Sequence, residues 1–346
     1  MTQKIQAIPT NLITGFLGSG KTTAILHLLR SRPENAHWAV LVNEFGDVGI
    51  DGAMLEQEGM DDGIFIKEVP GGCICCAAGL PLQIALNLLI KKANPERILI
   101  EPTGVGHPKK VLDTLTGEFY KTVLDIRATI CLVEAHKLKE DKYLNNETFI
   151  DQLNIADVVL ASKSDQASKE DLDNFRHFSQ SFNIAKDHIE SIEFGQFSTK
   201  LLDIKRNNQR CVTFPDAHTS VGNDHSTHHN DDQKQNNYTD HATEVNFQWQ
   251  KYENNGQGYF GCGWIFDRSI IFDELKLEEF VNSDSFTRVK GIFRTSDGWI
   301  LLNRSDQQFT RQEYDSSNDS RVEIIEADYH DWHQVEEQLL ACVQAD

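Results

Sequence analysis

The sequence predicts an α/β chain in which a mainly parallel, doubly wound sheet is followed, after a polar linker, by a small α+β domain. Three observations predict it. Short apolar runs in the first 205 residues alternate with segments of helical period, the order of βαβ units. Between about 206 and 244 the composition turns polar, with few aliphatic residues and no sustained period. From 245 onward apolar runs return, now accompanied by two helical stretches, as in an α+β unit with its helices on one face. The expected domains are therefore 1–205 and 245–346, with 206–244 between them.

Taken in order, strands are expected at 11–14, 38–42, 64–68, 97–101, 128–133, 158–161 and 188–192, and helices at 21–29, 80–91 and 169–178. The segment 206–244 cannot bury enough apolar surface to offset its ordering entropy, so it reads as a linker. It carries His218, His225, His228, His229 and His241 among Asp216, Asp224, Asp231, Asp232 and Asp240. Such a tract suits either a loose metal collector or a solvated spacer. In the second domain the expected strands are 258–266, 289–294, 298–303 and 321–325, with helices at 274–281 and 330–342.

Composition narrows the function classes. The chain has 346 residues, about two domains at the usual size, and its 33 Lys and Arg against 53 Asp and Glu leave a net charge of −20. That balance argues against nucleic-acid backbones and anionic membrane surfaces, both of which call for clustered positive charge. Mean hydropathy is −0.44, and no apolar run reaches the roughly 18 residues of a membrane span. The first ten residues lack the apolar core of a signal peptide. Seven cysteines is an odd number, and Cys73, Cys75 and Cys76 sit together, which suits a reducing cytoplasm better than a disulfide framework.

The first chemical signal is Gly15-Phe-Leu-Gly18-Ser19-Gly20-Lys21-Thr22-Thr23, which follows a strand and opens a helix. This is G-x-x-x-x-G-K-[ST] in the context it needs. Its glycines let backbone N–H groups turn in around phosphate oxygens, and the helix N-terminus adds partial positive charge. Lys21 is expected at the β- and γ-phosphates and Thr22 on Mg²⁺. Glu101, ending a buried strand in Glu101-Pro-Thr-Gly104, supplies the carboxylate for the Mg²⁺ water shell, with Gly104 placed to approach the γ-phosphate. Asn43-Glu44-Phe-Gly46-Asp47 reads as a phosphate-sensing switch or an ordinary strand exit. Ser162-Lys163-Ser164-Asp165 ends a later strand where a guanine-selecting N-K-x-D would lie. Asp165 can accept from guanine N1–H and its 2-amino group, which adenine lacks, and a site built on such bonds rejects the analogue. GTP is therefore favoured over ATP, with Ser162 departing from the usual Asn.

The second signal is Gly71-Gly72-Cys73-Ile74-Cys75-Cys76. In extended backbone, residues two apart share a side, so Cys73 and Cys75 can close on one ion, with Cys76 joining if the chain turns. Thiolates suit Zn²⁺ or Cu(I), and three of them leave a fourth position for Glu44, Asp47, a His or a partner's group. A redox pair and inert buried thiols are the alternatives.

These motifs, in this order, resemble CobW-type P-loop GTPases, relatives of the urease and hydrogenase nickel-insertion GTPases. The likeness runs through the His-rich linker into the CobW C-terminal domain. Leu41-Val-Asn-Glu-Phe-Gly-Asp-Val-Gly-Ile-Asp-Gly52, Ile100-Glu-Pro-Thr-Gly-Val-Gly-His-Pro108 and Gly256-Gln-Gly-Tyr-Phe-Gly-Cys-Gly-Trp-Ile-Phe-Asp267 look most like the YeiR-type zinc-binding GTPases. The resemblance implies GTP hydrolysis with Mg²⁺, zinc at Cys73, Cys75 and Cys76, and a role in zinc homeostasis. It also places Asp47 where a switch carboxylate lies. Glu134 stands where an Asp is often found. The expected protein is a zinc metallochaperone that passes metal to a zinc-requiring client, with a homo-oligomer left open and cobalt or nickel as alternative metals. A nucleotide-dependent small-molecule kinase or ligase and a non-catalytic metal buffer are the competing classes.

Overall fold

The computed structural model describes residues 7–42, 50, 63–69, 80–106, 108–182, 184–214, 242–245, 248–256, 259–283, 286–305 and 308–344. Two seven-stranded sheets organise them.

The first sheet contains β1 (Ile8–Gly15), β2 (Trp38–Val42), β3 (Ile64–Glu68), β4 (Arg97–Glu101), β5 (Leu124–Glu134), β6 (Val158–Ser162) and β7 (His188–Ser191), in the order β3-β2-β4-β1-β5-β6-β7. Every pairing in it is parallel. The inner strands β2, β4 and β6 are covered on both faces, so their sequences are near-continuous apolar runs rather than alternations. Leu12 packs with Leu82, Leu86 and Leu89 of α2 (Leu80–Ala93) on one side. Its neighbour Ile13 packs with Ile25 and Leu28 of α1 (Lys21–Arg30) on the other. Asn11, fully buried on β1, is satisfied. Its Nδ2 donates to the Ala128 and Leu202 carbonyls at 3.0 Å, and its Oδ1 accepts from Arg97 at 2.7 Å. Further helices are α3 (Pro108–Leu115), α4 (Asp141–Leu144), α5 (Glu147–Ile155) and α6 (Lys169–Ser179).

The first nine residues of the expected linker, 206–214, are among those described. Residues 206–214 are fastened to the first sheet by charged contacts that composition does not reveal. Arg210 is buried and pairs with the buried Asp157 at 2.9 Å and with Asp187 at 2.8 Å. The Thr213 amide donates to Asp151 at 2.6 Å. The linker histidines lie outside the described residues.

The second sheet is antiparallel. It comprises β8 (Ala242–Val245), β9 (Trp249–Gly256), β10 (Tyr259–Phe266), β11 (Arg288–Thr295), β12 (Gly298–Ser305), β13 (Gln308–Tyr314) and β14 (Ser320–Glu326), in the order β13-β12-β11-β14-β10-β9-β8. Its two helices, α7 (Glu274–Val281) and α8 (Trp332–Leu340), pack on one face over Trp264, Phe293 and Val322. The Trp264 indole N–H donates to Glu336 on α8 at 2.8 Å. β8, β9 and β13 go beyond the four strands expected here. Among the described residues no helix is long and apolar enough to cross a membrane.

Candidate functional site

The C-terminal ends of β1, β4 and β6 open on a cavity of about 970 Å³. Gly20 caps α1 with φ +85°, a left-handed conformation that only glycine adopts without strain. A Cβ there would meet nothing within 4 Å, so the loop keeps this glycine for its backbone rather than for crowding. Gly104 is the reverse case. A Cβ on it would stand 2.8 Å from the Leu17 amide nitrogen, so the end of the β4 strand-loop presses directly on the glycine-rich loop. Gln152 holds this approach from behind, donating to the Gly104 and Gly106 carbonyls at 2.9 and 3.2 Å. The sequence placed Gly104 towards a phosphate. The structure puts it on the cavity wall and against Leu17.

Lys21, Thr22 and Glu101 converge in this cavity. Thr22 Oγ1 donates to Glu101 Oε1 at 3.2 Å, and Lys21 Nζ donates to the Phe16 carbonyl at 3.4 Å. Glu101 is buried, and its Oε2 has no hydrogen-bond partner among the described residues. Burial pulls the Lys21 ammonium down to about 8 against the opposing pull of Glu101, and burial pushes the Glu101 carboxyl up against Lys21 and the Thr22 bond. In both groups burial disfavours the charged form, the perturbation found in sites shaped for a charged ligand. A hydroxyl and a carboxylate with an unpartnered buried oxygen are hard oxygen donors, and they fit Mg²⁺. Ser19, also buried, has an Oγ with no hydrogen-bond partner among the described residues. Thr23 lines the cavity, and Gly15 ends β1.

At the other end, Ser162, the last residue of β6, and Lys163 and Asp165 just beyond it line the same cavity. Lys163 adopts φ +53°, and its Nζ donates to Gln308 of β13 at 2.7 Å and pairs with Glu134 at 3.3 Å. Burial lowers the Lys163 ammonium, with Glu134 opposing. Phe194, 64% exposed, lies at the rim beside Gly195. Sequence reasoning did not single out Phe194, nor Lys137, which donates to the Leu17 carbonyl at 2.9 Å and pairs with Glu134 at 3.1 Å. Only Glu134 had a signal, as a departure from the family pattern.

Cys73, Cys75, Cys76, Glu44 and Asp47 lie outside the described residues. Among the described residues no group of three or more His, Cys, Asp or Glu side chains could hold a metal ion. Cys131, Cys262 and Cys342 are buried and free. Burial raises all three thiols, Cys131 to about 12 and Cys342 to about 11, which makes them inert packing groups.

A doubly wound parallel sheet whose first strand runs into G-x-x-x-x-G-K-T and then a helix defines a P-loop nucleotide-binding protein. The chain belongs to the CobW/HypB/UreG family, whose nucleotide-binding domain matches residues 9–190. It is 41% identical over 332 residues to the zinc chaperone YeiR of Escherichia coli K12, covering 96% of this chain and 97% of that one. It is 31% identical over 198 residues to the zinc chaperone CobW of Pseudomonas aeruginosa, covering 49% of this chain and 52% of that one. Among solved structures, the Zn(II)-bound YjiA GTPase from E. coli aligns over 98% of this chain and 99% of its own, at 16% identity and a TM-score of 0.42.

Proposed function

We propose that the chain hydrolyses GTP to GDP and phosphate and uses its nucleotide state to govern the holding and hand-over of zinc at Cys73, Cys75 and Cys76. In this reading it is a zinc metallochaperone of the cytoplasm. The observation that carries the nucleotide half is the convergence of Lys21, Thr22 and the unpartnered Glu101 oxygen in one cavity. The family supports the zinc half, through relatives named as zinc chaperones.

In this reading Gly15, Gly18, Ser19 and Gly20 wrap the phosphates with backbone N–H groups. Lys21 takes the β- and γ-phosphate oxygens, and Thr23 follows on the α-phosphate side. Thr22 and Glu101 hold Mg²⁺, which when bound neutralises charge on the phosphates. Asp165 selects guanine, with Ser162 and Lys163 forming the rest of the base pocket. The switch residues Glu44 and Asp47 answer to the terminal phosphate and adjust the ligands around zinc. The nucleotide domain is 1–205, the His-rich linker 206–244 and the second domain 245–346, with Arg210 and Thr213 tying the start of the linker to the first domain.

Magnitudes constrain the hand-over. Allosteric coupling is typically about 1–3 kcal/mol, whereas structural zinc in small peptides binds with about 10–16 kcal/mol. Nucleotide turnover alone therefore does not empty a tight thiolate site into water. A client with competing ligands takes the metal by direct exchange, and the nucleotide decides when the site is open to it. The test is GTP turnover with and without zinc, in wild type and in Cys73/Cys75/Cys76→Ala. Zinc is expected to change the wild-type rate and leave the triple variant unmoved. Identical zinc-independent rates would overturn the coupling.

A further inference from the structure

The second sheet has two faces, and only one is covered by its own helices. On β11, Val289 and Phe293 enter the core under α7 and α8, so alternation places Arg288 and Lys290 on the opposite face. Asn303 and Ser305 on β12 and Glu323 and Ile325 on β14 share that face and line the 970 Å³ cavity with them. The approach is close. A Cβ on Gly18 of the glycine-rich loop would fall 2.2 Å from Ser305 Oγ. Ile325 joins the cluster that buries Phe16 and Leu17, with Tyr259 packed against it, and Lys163 donates to Gln308. The second sheet is therefore a wall of the nucleotide cavity.

Within that wall Arg288 differs from its neighbours. Arg294 donates to the Arg268 carbonyl at 2.6 Å, Arg304 to the Phe286 carbonyl at 3.0 Å, Arg311 pairs with Glu274 at 2.7 Å, and Arg321 with Asp319 at 2.8 Å. Arg288 has no hydrogen bond or ion pair of its side chain among the described residues, and its Nε is buried. Across the β11–β12 ladder Arg288 stands opposite Ser305, the residue that lies against Gly18 of the glycine-rich loop. A guanidinium with a buried, unpaired nitrogen is costly unless an acceptor meets it.

We propose that Arg288 is a phosphate-binding residue that the second domain supplies to the nucleotide, taking oxygens of the terminal phosphates beside Lys21. The inference rests on the nucleotide-site reading above. The planar fork of a guanidinium matches phosphate oxygens in pairs. Its cross-strand partner Ser305 lies against Gly18, which puts Arg288 at the glycine-rich-loop end of the cavity, as Asp165 is at the base end. A residue there engages GTP more fully than GDP, so the second domain reads the nucleotide state directly.

The test uses the full chain as wild type, Arg288→Gln, Arg288→Lys and Lys21→Ala. Equilibrium titrations use fluorescent GDP and a non-hydrolysable fluorescent GTP analogue, and the unfolding midpoint without nucleotide is taken for each. Arg288→Gln is expected to weaken the GTP analogue roughly ten- to hundredfold and GDP by less. Its unfolding midpoint is expected to stay within a degree or two of wild type, taking about one degree as one-quarter to one-half kcal/mol for a chain of this size. Arg288→Lys is expected to recover part of the affinity, since it keeps the charge and loses the fork. Equal affinities in wild type and Arg288→Gln, or equal losses for GTP and GDP, would overturn the proposal. If Arg288→Gln does not fold, an unchanged GTP-to-GDP ratio in Arg288→Lys overturns it and a reduced ratio supports it. Wild type that binds neither nucleotide would overturn the nucleotide reading and this inference together. Binding lost in Lys21→Ala but intact in Arg288→Gln would overturn the role of Arg288 alone.

Discussion

Gly104 carries no side chain, and the space a side chain would take is already occupied by the Leu17 backbone, 2.8 Å from a Cβ at its nitrogen and 3.0 Å at its Cα. The neighbour is backbone, so it cannot swing aside as a flexible side chain would. Lys137 holds the same stretch from the other direction through the Leu17 carbonyl. Gly104→Ala is therefore expected to displace the glycine-rich loop rather than to be absorbed locally. Overpacking of this kind costs about 1–3 kcal/mol. If the cost falls on the loop, affinity for a fluorescent GDP analogue drops roughly five- to hundredfold. Titration of the variant checks this, and affinity within a factor of about two of wild type, well under the fivefold floor, would contradict it. Glu101 is legible in the sequence as a strand-end carboxylate. That Gly104 braces the loop is visible only once the two strand ends are seen side by side.

Helix α6 begins on a capping box. Ser168 Oγ accepts from the Asp171 amide at 3.1 Å, and the Ser168 amide donates back to Asp171 Oδ2 at 2.9 Å. Lys139 adds an ion pair to Asp171 at 2.9 Å. The Ser168 bond first, then Lys139, hold the Asp171 carboxyl down at about 2. A carboxylate depressed in the folded state stabilises fully above its unfolded value near 4 and loses that contribution as pH falls towards 2. Asp171→Asn is expected to cost about 1 kcal/mol at pH 7, with the gap to wild type narrowing between pH 4 and pH 2. Urea unfolding at pH 7 and pH 3 measures both, and a gap that stays constant would refute the assignment. At this scale the sequence was most informative where strands are buried on both faces. The runs 38–42 and 97–101 coincide with β2 and β4, because a strand under helices on both sides is largely apolar. It was least informative at polar strands. β13 is Gln-Phe-Thr-Arg-Gln-Glu-Tyr and β9 is Trp-Gln-Lys-Tyr-Glu-Asn-Asn-Gly, and neither has an apolar run to announce it. The site divides the same way. Lys21, Thr22, Glu101 and Asp165 follow strands within short motifs. Arg288, Ser305 and Gln308 reach the cavity only through the packing of one sheet on another, which no local spacing records.

The two sheets meet at the cavity, so a ligand held between them should stabilise both. Ser305 lies against Gly18, Gln308 bonds Lys163, and Ile325 packs with Phe16. The tryptophans make this measurable, because Trp249, Trp264, Trp299 and Trp332 belong to the second domain and Trp38 alone to the first. In a Trp38→Phe background, fluorescence reports the second sheet and its helices, while far-ultraviolet dichroism reports the whole chain. A ligand at one hundred times its dissociation constant stabilises the form that binds it by about 2.7 kcal/mol. For domains of about 150–250 residues that corresponds to roughly 5–11 °C in the unfolding midpoint. With the non-hydrolysable GTP analogue, the fluorescence and dichroism midpoints are expected to rise together, and with Lys21→Ala neither should move. A dichroism midpoint that rises while the tryptophan midpoint stays fixed would mean that nucleotide stabilises the first sheet alone. The face carrying Arg288, Ser305 and Gln308 would then be a neighbour of the nucleotide rather than part of its site.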